Sequence, residues 1–318
     1  MRLRALRSFV FILTLSSLFF DVSVSISFPP ALGQQIARQF PLWFRFIKSS
    51  KLFSWFWNKL KSFLITFKDL KLGDTFQGLS NVKQYLDLLG YLNSTSHSNF
   101  TDNFTLDLQS AIITFQKNFN LNVTGKLDRN TTKVISEPRC GVPDIVNGTT
   151  TMNSGVSNTT AFNPWWKEGK RELTYAFDPE NNVSDGVRFL FRDAFERWSN
   201  VTALKFTETA LLNGSDVKIA FVVFDGRGGA VGVADTDYSE HVGSVYLDSE
   251  EEWVVRGENE DGDVDLESVV MHMVGHVLGL GHSSVEEAVM YPIVLEEKID
   301  FALDDLRRIH QIYGVNSK

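Results

Sequence analysis

Three of the chain's six histidines, His272, His276 and His282, fall within one short window, "MHMVGHVLGLGH", residues 271–282. Residues four apart on a helix share a face, so His272 and His276 can offer two imidazoles to one ion. Gly279 lets the chain leave the helix, and His282 can return as a third ligand. Three protein ligands with an open fourth position is the layout of a catalytic zinc centre. A histidine pair alone would be weak evidence. The third histidine and the intervening glycine strengthen it. Zinc hydrolysis also needs a group that moves protons, and a carboxylate next to the first histidine would supply it. That position is Met273, whose thioether can neither take nor give a proton.

The lone cysteine, Cys140, is the other candidate for metal chemistry. It cannot form an internal disulfide, which leaves a metal ligand, an intermolecular bond, or a buried and inert thiol.

The elements that must position these groups can be read from periodicity. In "LSNVKQYLDLLGYL", Val82, Tyr85, Leu86 and Leu89 predict a helix with Ser80 as its N-cap and Gly90 at its end. "FTLDLQSAIITFQKNFNL" repeats the pattern with Leu108, Ile112, Phe115 and Phe119 on one face. "VTGKLDRNTTKVI" adds a turn and a short third helix, which makes a small three-helix unit over about 78–136. Residues 146–164, rich in Gly, Asn, Ser and Thr, read as an exposed linker open to proteolysis. Beyond it, "RELTYAF", "ALKFTET", "DVKIAFVVF" and "GSVYLD" alternate as strands. "SDGVRFLFRDAFERWSNV", capped by Ser184 or Asp185, a segment starting near Asp265, and "ALDDLRRIHQIYG" read as helices. The expected fold class is α+β, a mixed twisted sheet with about three helices.

The ends and the composition bound the function. The chain has 318 residues and a net charge of −8, which argues against a nucleic-acid partner. Arg2, Arg4 and Arg7 followed by an apolar run from Phe9 to Phe20 and small residues at Ser23, Ser25 and Ser27 read as a signal peptide over 1–27. No later segment is apolar for long enough to span a membrane, and the polar C-terminus offers no lipid-anchor signal. Ten glycosylation sequons, at Asn93, Asn99, Asn103, Asn122, Asn130, Asn147, Asn158, Asn182, Asn200 and Asn213, fit secretion to an extracellular space. The aromatic and basic stretch around 40–67 reads best as part of a pro-region.

The histidine window resembles the H-E-x-x-H-x-x-G-x-x-H motif of metzincin proteases with its second residue changed. Met290, in "VMYP" eight residues past His282, is placed like that group's Met-turn methionine. "PRCGVPD", residues 138–144, is similar to the cysteine switch of matrix metalloproteinases, the matrixins. "NVKQYLDLLGYL" and "FQKNFNLNVTGKLD" resemble the matrixin propeptide and its peptidoglycan-binding-like helical fold. The resemblance covers nearly everything after residue 75 and is strongest to short plant-type matrixins without a hemopexin domain.

It implies a propeptide over 28–154 and a metallopeptidase domain over 155–318. It implies a zymogen in which Cys140 takes the fourth zinc position until an activating protease cuts the linker. Substrates would be peptides or proteins of the extracellular matrix or cell wall. In the family a glutamate at the position of Met273 takes a proton from the attacking water and returns it to the leaving amine. Its loss implies catalysis slowed by about 10²–10⁴-fold, so a silent, peptide-binding decoy or modulator is the alternative. A cell-wall glycoprotein working through its helical unit is a third. The family's structural zinc has lost its ligands: its H-G-D stretch is missing, and Val233 and Tyr246 stand where histidines would, with His241 nearby but without partners. A second zinc is therefore expected to be absent. Asp225, Asp248 and Glu251 suit calcium, whose hard ion prefers oxygen; the same acids would otherwise read as a solvated acidic face.

Overall fold

The computed structural model describes residues 69–92, 100–152, 169–235, 243–255, 263–294 and 298–314. The signal-peptide reading, the aromatic stretch, His241, and Asn93, Asn99 and Asn158 lie outside them. Three helices come first, α1 (Leu79–Leu88), α2 (Leu106–Asn118) and α3 (Arg129–Ser136). They close over one core of Leu79, Val82, Leu86, Leu108, Ile112, Phe115, Leu127 and Ile135. Ser80 is not the cap of α1. That place belongs to Gly78 at φ 103°, and the capping oxygen comes from outside the helix. Asp102 Oδ1 accepts from Gly78 N at 3.1 Å, Ser80 N at 2.9 Å and Ser80 Oγ at 2.7 Å. A carboxylate near helix-terminal donors satisfies groups that would otherwise be orphaned.

The chain then runs through β1 (Arg139–Cys140) and a small hairpin of β2 (Ile145–Val146) and β3 (Thr149–Thr150). The hairpin turns at Asn147 and Gly148, both at positive φ, which an Asn-Gly pair adopts at little cost. This corrects the linker expectation at its start. Residues 145–152 are folded, and Met152 is buried in the core of the helical unit; the rest of the linker reading, from 153 on, lies outside the described residues.

The second unit is built on β4 (Glu172–Phe177), α4 (Asp185–Thr202), β5 (Lys205–Glu208), β6 (Val217–Val222), β7 (Ala230–Asp235) and β8 (Ser244–Asp248). A parallel pair follows, β9 (Trp253–Val254) with β10 (Val264–Asp265), and then α5 (Leu266–Val277) and α6 (Leu303–Tyr313). The main sheet has the order β1-β7-β8-β6-β4-β5. All its neighbours are parallel except β7 with β8. The α+β class with a mixed sheet is therefore the observed one. Ser184 caps α4 through Val187 N, and Asp265 caps α5 by accepting from Ser268 N at 2.7 Å.

Helices α4 and α5 cover one face of the sheet, and their apolar faces meet around Trp198, Phe195, Val270 and Val274. Burial of such side chains contributes about 1.5–3 kcal/mol each. The two units interlock: Cys140 and Val142 lie in the core of the second, while Tyr291 packs into the core of the first, edge-on to Phe119 at 5.9 Å.

Candidate metal centre

Helix α5 carries His272 and His276 one turn apart, and both are fully buried. The helix stops because Gly279 adopts φ 97°, a conformation that favours glycine. The chain then doubles back. The Leu280 carbonyl accepts from His276 Nδ1 at 2.8 Å, and His282 returns to the other two rings. His272 Nδ1 donates to the Val289 carbonyl at 2.7 Å, and His282 Nδ1 meets Asp144 Oδ1 at 2.7 Å. Carbonyl and carboxylate oxygens only accept, so each Nδ1 carries the proton and each Nε2 presents its lone pair.

Those lone pairs converge. His276 Nε2 is 3.0 Å from His272 Nε2 and 3.2 Å from His282 Nε2. Cys140 Sγ lies 3.4 Å from His276 Nε2, and the four ligand atoms all fall within 4.8 Å of one another. Among the described residues this is the single group of histidine, cysteine or carboxylate side chains drawn so close. Zn–N bonds of about 2.0–2.1 Å and Zn–S bonds of about 2.3 Å, arranged tetrahedrally, separate ligand atoms by about 3.3–3.6 Å. The three spacings about His276 Nε2 are near that, and three facing lone pairs repel unless a cation lies between them. The residues fit zinc.

Electrostatics agree. Burial, and then the neighbouring histidines, hold His272 and His276 well below the ordinary imidazole value, and burial lowers His282. Neutral imidazole is the ligand form. Burial also pushes the Cys140 thiol up to about 12, so only a cation beside it would stabilise the thiolate.

Met290 is buried on the turn that Asp305 fastens by accepting from Val289 N at 2.9 Å and Met290 N at 3.1 Å. A Cβ added to Gly275 would sit 2.3 Å from Met290 Sδ and 3.0 Å from Trp198 Cζ2. The glycine inside α5 is therefore a packing requirement. Arg308 of α6 donates to the carbonyls of Gly281 and His282 at 2.9 and 3.0 Å and braces the third histidine through its backbone.

The segment bearing Cys140 lies across the site as an extra strand. Arg139 N donates to Gly229 O, Cys140 N to Pro292 O and Gly141 N to Gly232 O, at 2.8 to 2.9 Å. It thus bridges the edge of β7 and the wall after Met290. Gly141 allows this approach, since a Cβ there would meet Val233 Cγ2 at 2.9 Å. Met273 is wholly buried, with its methyl against β7 at Gly232.

Asp225, Asp248 and Glu251 are brought together and buried at the loop that follows β6. Asp248 accepts from Phe224 N and Asp225 N, Asp225 from Ala230 N, and Glu251 from Gly228 N at 2.8 Å. Burial and the mutual repulsion of these acids raise Asp225 well above the carboxylate range, and burial raises Asp248 to about 7. They are not a solvated face. Val233 and Tyr246 are cross-strand partners on β7 and β8, and neither offers an imidazole.

Sequence reasoning missed three contributors: Asp144 behind His282, Asp305 under the Met290 turn, and Arg308. Asp144 closes the "PRCGVPD" stretch, but that motif does not say which side chain it meets; Asp305 and Arg308 lie in the last helix, and no local pattern marks them.

The comparisons with known proteins follow the same division of the chain. Residues 165–314 match the family described as matrixin, and residues 77–135 match the putative peptidoglycan binding domain. The chain is 42% identical over 274 residues to Metalloendoproteinase 2-MMP of Arabidopsis thaliana, covering 77% of this chain and 72% of that protein. It is 43% identical over 262 residues to Metalloendoproteinase 1 of Glycine max, covering 77% and 84%. With human Matrix metalloproteinase-16 it shares 34% over 260 residues, 75% of this chain and 42% of that one.

Proposed function

Because the chain belongs to the matrixin family of metallopeptidases, we propose that it is a secreted zinc endopeptidase of that type, held latent by its own propeptide and severely impaired in catalysis. The family implies zinc and peptide or protein substrates, and the histidine and cysteine cluster could hold the metal. Latency rests on one observation above all: Cys140 Sγ completes the group of three Nε2 atoms on a strand that fills the groove between β7 and the Met290 wall. A substrate peptide needs the same groove, so the propeptide must leave first, after a cut from residue 153 onward. Secretion is supported by the 1–27 reading and by the surface. All seven described sequon asparagines, from Asn103 to Asn213, are exposed.

When bound, zinc supplies Lewis acidity to a substrate carbonyl and lowers the pKa of water. His272, His276 and His282 hold it, and the carbonyls and carboxylate behind their Nδ1 atoms keep the rings aimed. Proton transfer to and from the reacting groups is the part the chain lacks, because Met273 stands where a carboxylate would act. Calcium in the Asp225, Asp248 and Glu251 cluster would neutralise three buried acids and hold the loop after β6.

The same methionine favours a second reading, a silent relative that binds zinc and peptides as a decoy or modulator. One experiment covers both. The purified full chain is assayed for zinc, for Cys140 alkylation with and without a chelator, and for peptide cleavage before and after limited proteolysis. The proposal expects one zinc, a thiol exposed by the chelator or the cut, and weak chelator-sensitive cleavage. Zinc with no cleavage selects the silent reading, and a thiol indifferent to chelator sinks the latency mechanism.

A further inference from the structure

Asp144 is completely buried behind the histidine cluster, where a thiol that simply blocks the metal has no need of a carboxylate. It accepts four hydrogen bonds. Arg139 reaches it bidentately, Nη2 to Oδ1 at 2.7 Å and Nη1 to Oδ2 at 3.0 Å. Tyr91 Oη donates to Oδ2 at 2.8 Å, and His282 Nδ1 donates to Oδ1 at 2.7 Å. Tyr91 is itself held by Asn118 Nδ2 at 3.0 Å, at the end of α2. The backbone of Asp144 is pinned as well, its N–H to the Leu89 carbonyl at 3.1 Å. Burial pushes the Asp144 carboxyl up, but Arg139 and then His282 outweigh it and keep it ionised.

The three histidines differ in this respect. His272 and His276 lean on carbonyls of Val289 and Leu280, within their own domain. His282 leans on a charged group 138 residues earlier, in the segment that carries the switch cysteine. A carboxylate accepting from Nδ1 fixes the tautomer and raises the basicity of Nε2 toward a metal.

We propose that Asp144 is a positioning residue for the third zinc ligand, so that the propeptide grips the metal twice: through Cys140, and through the carboxylate it places behind His282. Tyr91 and Arg139 aim that carboxylate, which ties the folding of the helical unit to zinc retention. The inference rests on the zinc reading above. It follows that loss of the propeptide takes away a ligand and also the partner of a second ligand.

The test uses the full chain and two variants, Asp144→Asn and the double variant Arg139→Gln with Asp144→Asn. The single variant leaves a buried guanidinium without its counter-charge and is open to misfolding; the double variant removes that charge and keeps the carboxylate absent. Circular dichroism checks the fold, and zinc affinity is measured by chelator competition. The expected result is a loss of affinity of about 10–100-fold in the variant that folds. Cobalt(II) substitution supplies the reading that a merely structural role would not move: the ligand-field bands of the variant shift, because one imidazole has changed its donor strength. Folded variants that hold zinc within about twofold of the wild type, with unchanged cobalt bands, overturn the proposal and leave the zinc centre standing. A wild-type chain that binds neither ion overturns both.

Discussion

Met273→Glu is the change with the largest expected effect on function. The side chain is fully buried, and its Cε would lie 3.1 Å from a Cβ placed on Gly232. Glutamate has a stem of matching length, so its carboxylate replaces the thioether at the same spot, against β7 at Gly232. General acid–base assistance is worth about 10²–10⁴ in rate, or about 3–5 kcal/mol of barrier. The fold loses the burial of a methionine, about 1.5–3 kcal/mol, and must desolvate a carboxylate, a cost offset by the adjacent cation. A domain of ordinary stability, about 5–15 kcal/mol, survives this. The assay compares kcat/KM on a quenched peptide for wild type and variant, both cut after residue 152 and matched for bound zinc. The expected ratio is about 10²–10⁴ in favour of the variant. Equal rates, both abolished by a chelator, would mean that another group supplies the base. Equal zinc with no gain would mean that Met273 is not what limits catalysis.

Other outcomes can be checked independently. Gly275→Ala should lower stability by about 2 kcal/mol: overpacking against Met290 and Trp198 costs about 1–3 kcal/mol, and better helix propensity returns up to about 1. A thermal scan should then show a fall of about 4–8 °C, and an unchanged Tm would show that Met290 moves aside freely. Asp102→Ala removes the oxygen that caps α1 and should cost about 0.5–2 kcal/mol, read by denaturant titration of the chain. Calcium should raise the Tm more at pH 7.5 than at pH 5. Asp225 and Asp248 have folded pKa values raised above the unfolded value of about 3.9. Their contribution to the stability of the metal-free fold is therefore fully present below about pH 4 and is lost as pH rises through about 7, the value to which Asp248 is pushed. Calcium replaces those protons, so an equal gain at both pH values would argue against a shared carboxylate site.

How much of this was legible beforehand depended on how local each feature was. The histidine pair on α5, the Gly279 exit, the Ser184 cap and the helices around Leu86, Phe115 and Trp198 follow from spacings within a few residues, where helix periodicity leaves little choice. The Ser80 cap failed because the capping oxygen belongs to Asp102, 22 residues away. The linker reading failed at its start because an Asn-Gly turn serves a hairpin as well as a loop, and only packing of Met152 decides which. Histidines at metal-ligand spacing at 272, 276 and 282, a cysteine at 140 and a methionine at 273 were determined by the sequence alone. The tertiary structure decided the rest: that Cys140 reaches the rings by joining the sheet at β7, that three acids are buried around one loop, and that Asp144 lies behind His282. Those groups are brought together by chain reversals and burial, and no short-range pattern encodes what lies on the far side of a core.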